Sequence, residues 1–178
     1  SLCSFEPLSF EIPIVDFNYE YDSYCADTLD PTPIITGVGT GSFSSTPEGL
    51  DINSVTGTID LSESVLGTYT VIYTTTGICF ISIEKTITVN PLPTASISGT
   101  TSVCVDDTAP NVTFTGANGT APYTFTYTLN GGGNLTVTST GDVATIAAPT
   151  IADGEFIYTL ISVEDSSSTT CNQLQSGT

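Results

Sequence analysis

The sequence predicts an all-β protein of tandem antiparallel β-sandwiches. Three observations carry this: side chains alternate with a period of two along most segments, turn-forming glycines and prolines recur at short intervals, and one order of landmarks runs through the chain twice.

Alternation comes first. In GTYTVIYTTT (67–76), Tyr69, Val71 and Tyr73 share one face, and Thr70, Ile72 and Thr74 share the other. In YTFTYTLN (123–130), Tyr123, Phe125, Tyr127 and Leu129 alternate strictly with threonines. Each reads as a strand with one buried and one wet face. Asn130-Gly131-Gly132-Gly133-Asn134 supplies a turn where positive φ costs little, and LTVTST (135–140) returns as the partner strand. ISIEKTITV (81–89) is another alternating strand. Short strands with frequent turns point to an antiparallel sandwich.

The repetition comes next. Pro13 precedes an alternating segment and then SYCADTLDPTP (23–33); Pro93 precedes an alternating segment and then SVCVDDTAPN (102–111). Gly67-Thr68-Tyr69 and Gly154-Glu155-Phe156 each lead into an aromatic-headed strand, and a second cysteine follows, Cys79 and Cys171. A whole small domain is repeated. Cys79 is followed by FISIEKTITVNPLP, a last strand and a linker. Cys3 is followed by a similar stretch, SFEPLSFEIP, whereas only NQLQSGT follows Cys171. The expected organisation is therefore residues 1–12 as the final strand and linker of a preceding repeat, 13–90 as the first repeat, 91–93 as a Pro-Leu-Pro linker, and 94–178 as a second repeat lacking its final strand. The first repeat's own first strand is expected near 14–21, and residues 4–12 are expected to pair with a sheet outside both repeats.

Composition limits function. Among 178 residues the formal charge is −18, Lys85 is the only basic residue, and histidine is absent. Nucleic acid and anionic membrane surfaces require the Lys and Arg that are missing here. Without histidine, no Ser-His-Asp or Cys-His arrangement can be built. The adjacent carboxylates Asp106 and Asp107 are read as a solvated turn, not a catalytic pair. No run is long and apolar enough to span a bilayer, and no basic segment followed by an apolar one opens the chain. Abundant Thr and Ser, scarce lysine, and no Met or Trp suit an extracellular β protein without an active site.

The stretches GTGSFSSTPEGLDINSVTGTIDLSESVLGTYTVIYTTTGIC (39–79) and PLPTASISGTTSVC (91–104), with APNVTFTGANGTAPYTFTYTLNGGGNLTVT (109–138), resemble the PKD-like, immunoglobulin-like repeats of very large secreted surface proteins of Bacteroidota, including gliding-motility adhesins. The resemblance covers nearly the whole chain. It implies immunoglobulin-like sandwiches, export by the type IX system, and display at the cell surface as a structural and adhesive stalk or fibre segment. Partners would be neighbouring repeats or copies of the same protein, with glycans or surface ligands beyond. Two other readings stand beside it: a carbohydrate-binding module of a secreted enzyme, and a polymerising subunit whose free N-terminal strand completes the open second domain of a neighbour.

In an oxidising compartment the cysteines are expected as disulfides within repeats, Cys25 with Cys79 and Cys104 with Cys171, leaving Cys3 to pair upstream. Without histidine or C-x-x-C spacing, zinc is not expected. Asp27, Asp30, Asp106, Asp107, Asp142 and Asp153 occupy turn contexts that suit Ca²⁺, but no D-x-D-x-D-G loop is present, so no cofactor is assigned and any Ca²⁺ would be weakly bound. Asp27-Thr28-Leu29 and Asp107-Thr108-Ala109 resemble the Asp-(Ser/Thr)-aliphatic O-glycosylation motif of exported proteins in this phylum, making Thr28 and Thr108 candidate acceptors. Asn111, Asn118 and Asn134 head N-x-T sequons. Tyr19, Tyr21 and Tyr24 would make a sugar platform if exposed; they are read instead as core.

Overall fold

The computed structural model describes residues 14–37, 40–76 and 80–178. Among the described residues all regular structure is β. The first set of strands is β1 (Val15–Asn18), β2 (Ser23–Cys25), β3 (Ile34–Gly37), β4 (Gly41–Thr46), β5 (Asp51–Ile52), β6 (Ile59–Asp60), β7 (Gly67–Thr75) and β8 (Ser82–Asn90). The second is β9 (Thr94–Ser98), β10 (Asn111–Ala117), β11 (Thr124–Leu129), β12 (Leu135–Thr138), β13 (Val143–Ala147), β14 (Tyr158–Glu164) and β15 (Asn172–Gly177). Pro91, Leu92 and Pro93 lie between the two sets.

Each set closes on its own apolar core. In the first sandwich a four-stranded sheet, β2-β8-β7-β4, is faced by two short ladders, β1-β3 and β5-β6. Its core gathers Phe17, Phe43, Ile59, Leu61, Tyr69, Val71, Tyr73, Ile87 and Val89. In the second, β12-β11-β14-β15 packs over β13-β10-β9 around Phe114, Tyr123, Phe125, Tyr127, Leu160 and Val163. This three-plus-four arrangement is that of an immunoglobulin-like sandwich, with β12 taking its place beside β11. The alternation read from sequence is the packing observed: Tyr69, Val71 and Tyr73 are buried, and so are Tyr123, Phe125 and Tyr127. β11 returns as β12 through Asn130 and Gly131, both at positive φ (51° and 67°), with Tyr127 opposite Leu135.

Tyr69 supports the immunoglobulin-like topology. It stands near the start of β7, and its hydroxyl donates to the carbonyl of Val65, four residues upstream. This tyrosine corner is a mark of the strand entering from the opposite sheet. Tyr123 makes the same bond to the Gly119 carbonyl at 2.8 Å, and accepts from the Gly119 N–H at 3.1 Å.

The structure corrects three expectations. The second sandwich does not lack its last strand: β15 pairs antiparallel with β14, Val163 opposite Gln173 and Glu164 opposite Asn172. NQLQSGT is short and holds one large apolar residue, Leu174, but an edge strand needs only backbone partners and one inward face. With β15 in place, the open groove required by the strand-addition reading is filled. Next, Tyr21 is not core: β1 ends at Asn18 and β2 begins at Ser23, so the alternation breaks between them, and with Tyr19 and Tyr24 buried Tyr21 is left 58% exposed. Last, one pairing is parallel: β2 runs alongside β8, with Cys25 opposite Asn90. β1 falls in the stretch expected for the first strand, whereas residues 4–12 lie outside the described residues.

Candidate functional site: the joint between the sandwiches

The place where sequence-predicted residues converge is the junction of the two sandwiches. Cys25 bonds Cys171, joining residues 146 apart with their Cα atoms 5.7 Å from one another. Both are buried, at 6% and 1% exposure. The expected pairs Cys25–Cys79 and Cys104–Cys171 are therefore corrected. Cys104 is a free, exposed thiol, and Cys3 and Cys79 lie outside the described residues.

Strand geometry explains why bonds within a repeat fail. Cys25 sits beside Asn90, at the end of β8. Position 79 lies outside the described residues; in sequence it comes three residues before Ser82, where β8 begins. Nine extended residues separate the two ends, roughly 30 Å at about 3.3 Å per residue, against Cα separations of about 4.4–6.8 Å across a disulfide. Cys25 lies at the far end of β8 from Ser82, on the side that meets the second sandwich.

The joint is built from both sides. Asn90 Nδ2 donates to Ser23 Oγ at 2.7 Å and to Thr169 Oγ1 at 2.9 Å. Thr169 Oγ1 in turn lies 3.5 Å from the Cys25 sulfur and 3.4 Å from the Cys171 sulfur. Asp165, only 4% exposed, shapes the turn that presents Cys171. Its Oδ1 accepts from the Cys171 N–H (2.8 Å), the Ser167 N–H (3.2 Å) and the Ser167 hydroxyl (2.7 Å), while Oδ2 accepts from the Thr120 N–H (2.9 Å). A buried carboxylate is tolerated because each oxygen is hydrogen-bonded. Pro93 is fully buried beneath this turn, and Gly119 is small enough to allow it: a Cβ there would come 2.8 Å from Asp165 Oδ2 and 3.1 Å from the Pro93 ring. Sequence reading overlooked Asp165, although its Asp-Ser-Ser-Ser-Thr-Thr context is that of a side chain capping its own turn.

The remaining candidates are dispersed. Thr28 is exposed; its hydroxyl donates to the Cys25 carbonyl at 2.9 Å. Thr108 is exposed, and its N–H donates to Asp107 Oδ1 at 2.8 Å. Asn118 Nδ2 donates to Thr94 Oγ1, Asn111 begins β10, and Asn134 lies in the β11–β12 turn. Asp30 Oδ1 accepts from the Leu61 N–H at 3.0 Å. Among the described residues, no group of three or more Asp, Glu, Cys or His side chains gathers to hold a metal. Of the three tyrosines, Tyr21 and Tyr24 line a groove, edge-on to one another with ring centres 6.0 Å apart, whereas Tyr19 donates from within the core to the Gly57 carbonyl.

No family model matches the chain, and no curated protein matches it. Among solved structures, the chain is similar to one described as a Ca²⁺-stabilised adhesin that helps an Antarctic bacterium reach out and bind ice. The identity is 17% and the TM-score 0.41, over 92% of this chain and 47% of that one, so the chain spans about half that structure's length. At this score nothing about the function of this chain is taken from it.

Proposed function

We propose that this chain is a structural segment of an exported, adhesive surface protein: a stiff, acidic stalk in which neighbouring sandwiches are locked to one another. The observation that carries the reading is the Cys25–Cys171 bond across the junction. A disulfide inside one sandwich would add stability and leave the junction as a hinge. One between sandwiches, beside a three-residue linker with two prolines, suppresses hinge motion. Such a bond also favours an oxidising, extracellular setting. The charge of −18 fits an exposed segment kept soluble and apart from its neighbours by repulsion. The reading is non-catalytic. Its finer parts are proposals of the same kind: repeats at 13–90 and 94–178 joined by 91–93, a preceding repeat ending in residues 1–12, membership in a gliding-type Bacteroidota adhesin exported by the type IX system, O-glycans on Thr28 and Thr108, and loosely held Ca²⁺.

Small-angle scattering of the oxidised chain and of Cys25→Ser/Cys171→Ser tests the mechanical reading. The oxidised chain should fit one fixed arrangement of the two sandwiches, and the variant a broadened set. Identical profiles would remove the reason to call the segment a stalk.

A further inference from the structure

The loop that carries Cys25 has a counterpart at the far end of the second sandwich. Cys25-Ala26-Asp27-Thr28-Leu29-Asp30-Pro31 and Cys104-Val105-Asp106-Asp107-Thr108-Ala109-Pro110 both place a proline six residues after the cysteine. The backbone bonds agree. The Cys25 carbonyl accepts from the Thr28 N–H at 3.1 Å, and the Cys104 carbonyl from the Asp107 N–H at 3.1 Å. The Pro31 carbonyl accepts from Ile59 in β6 at 3.1 Å, and the Pro110 carbonyl from Ala148, just past β13, at 2.9 Å. The two cysteines therefore open matching loops, although Cys25 lies on β2 beside β8 and Cys104 lies on no strand. One is buried and bonded, the other exposed and free.

What distinguishes them is the cover. Cys25 is covered by the 165–171 turn of the sandwich that follows it. Nothing covers Cys104 among the described residues, and apolar side chains are left open around it. Val103 and Val105 are 45% and 51% exposed, and with Phe156, Ile157 and Thr178 they line a groove of about 660 Å³ at Cys104. Exposed apolar surface beside a free thiol is an unfinished contact, and it continues the pattern of the contact already made at Cys25.

We propose that Cys104 and this groove are the open half of a second joint, whose occupant is a following immunoglobulin-like sandwich presenting a cysteine on the turn before its last strand, as Cys171 is presented to Cys25. This concerns only how sandwiches connect, so it stands or falls apart from the stalk reading. The bond forms by thiol–disulfide exchange. The two thiols lose two protons and two electrons, and one small-molecule disulfide, such as oxidised glutathione, takes them up to become two thiols.

The test extends the full chain by Pro-Leu-Pro and a second copy of residues 94–178, so that the appended Cys171 turn meets Cys104 as the original meets Cys25. After oxidation with glutathione, non-reducing peptide mapping should find Cys104 bonded to the appended Cys171, with Cys25–Cys171 retained. The alkylation rate of Cys104 should drop at least tenfold relative to the unextended chain. Cys104→Ser should free the appended thiol and leave the first joint intact. A Cys104 that stays freely alkylated while the appended sandwich is folded, or that bonds Cys104 of another molecule, overturns the proposal. Should the appended sandwich not fold, mapping of the protein from its native host decides: a bond from Cys104 to a cysteine on such a turn supports it, and a free Cys104 sinks it.

Discussion

The two sandwiches start from the same alternation and finish differently. The second sets its core between two continuous sheets: Phe114, Phe125, Tyr127, Leu160 and Val163 lie on their ladders, with Tyr123 and Ala148 one residue beyond strand ends. The first has one continuous sheet, and its opposite face is broken into β1-β3 and β5-β6. It fills the gap with residues outside strands, Tyr19, Leu50 and Leu61. The Asp60 carboxylate caps the loop after Leu61, accepting from the Ser62 hydroxyl at 2.8 Å and from the Ser62 and Glu63 N–H groups at 3.1 Å. A regular sheet face and a capped loop thus do equivalent work in sealing a core, but only the first leaves a periodic trace.

The comparison is broken most directly by cutting each core. Phe17→Ala removes a ring lying edge-on to Phe43, and Phe125→Ala one stacked on Phe114. Both are fully buried, so each should cost about 3–5 kcal/mol. Urea unfolding followed by residue-resolved NMR should show each loss confined to its own sandwich once the joint is reduced. With the disulfide intact, the loss should spread. If both sandwiches fall together even when reduced, they form one cooperative unit and the contrast drawn above is wrong.

Next in size is Asp165→Asn. An amide nitrogen would face N–H donors where an oxygen now accepts, and hydrogen bonds to charged groups are worth about 1.5–3 kcal/mol each. With the joint reduced, a loss of about 3 kcal/mol is expected in the second sandwich alone, and on oxidation the Cys25–Cys171 bond should form in lower yield because the turn presenting Cys171 loosens. Full bond yield with unchanged stability would show that Asp165 does not hold the turn.

How much of this could be read beforehand follows from what each residue answers to. β7, β8 and β11 were legible because one face is dry and the other wet, which imposes a period of two, and β12 because the Asn130–Asn134 turn returns the chain beside β11. β5 and β6, of two residues each, are too short to show a period. β15 hid behind polar residues at a sheet edge. The cysteines were correctly singled out and wrongly paired, because matched positions in a repeat suggest partners within it. The length of SIEKTITVN already argued against that: a strand of nine residues puts its two ends a sandwich length apart.

A smaller difference separates the two tyrosines that bond four residues back. Tyr69→Phe removes one bond, to the Val65 carbonyl; Tyr123→Phe removes two, since that hydroxyl both donates to and accepts from Gly119. At about 0.5–1.5 kcal/mol per bond, the first should cost about 1 kcal/mol and the second about 2 kcal/mol by chemical denaturation. Equal costs would mean that water replaces the Gly119 contact, and that the two corners are alike.

The smallest effect concerns charge, where the sandwiches also differ: the only cationic side chain belongs to the first. Lys85 Nζ on β8 lies 3.3 Å from Asp16 Oδ1 on β1, bridging its two faces, but both groups are substantially exposed and the pair is screened. Asp16 is held below its ordinary value of 3.8, first by the side-chain amide of Asn18, then by Lys85, then by the Phe17 N–H. A carboxylate depressed in the folded state contributes stability that is present above the unfolded value and is lost as pH falls through the lower folded one. Protonating the many other acids relieves repulsion over the same range, so the raw acid profile mixes two opposite trends. The difference between wild type and Lys85→Gln isolates the pair. At pH 7 the variant's urea midpoint should sit slightly below that of wild type. The gap should close as pH falls below 3.8, as Asp16 protonates in both. Asn18 still holds the carboxylate in the variant, so the closure should be gradual and not abrupt. A gap that persists unchanged to pH 2 would assign the lysine's contribution to the packing of its stem along β8, with no share from its charge.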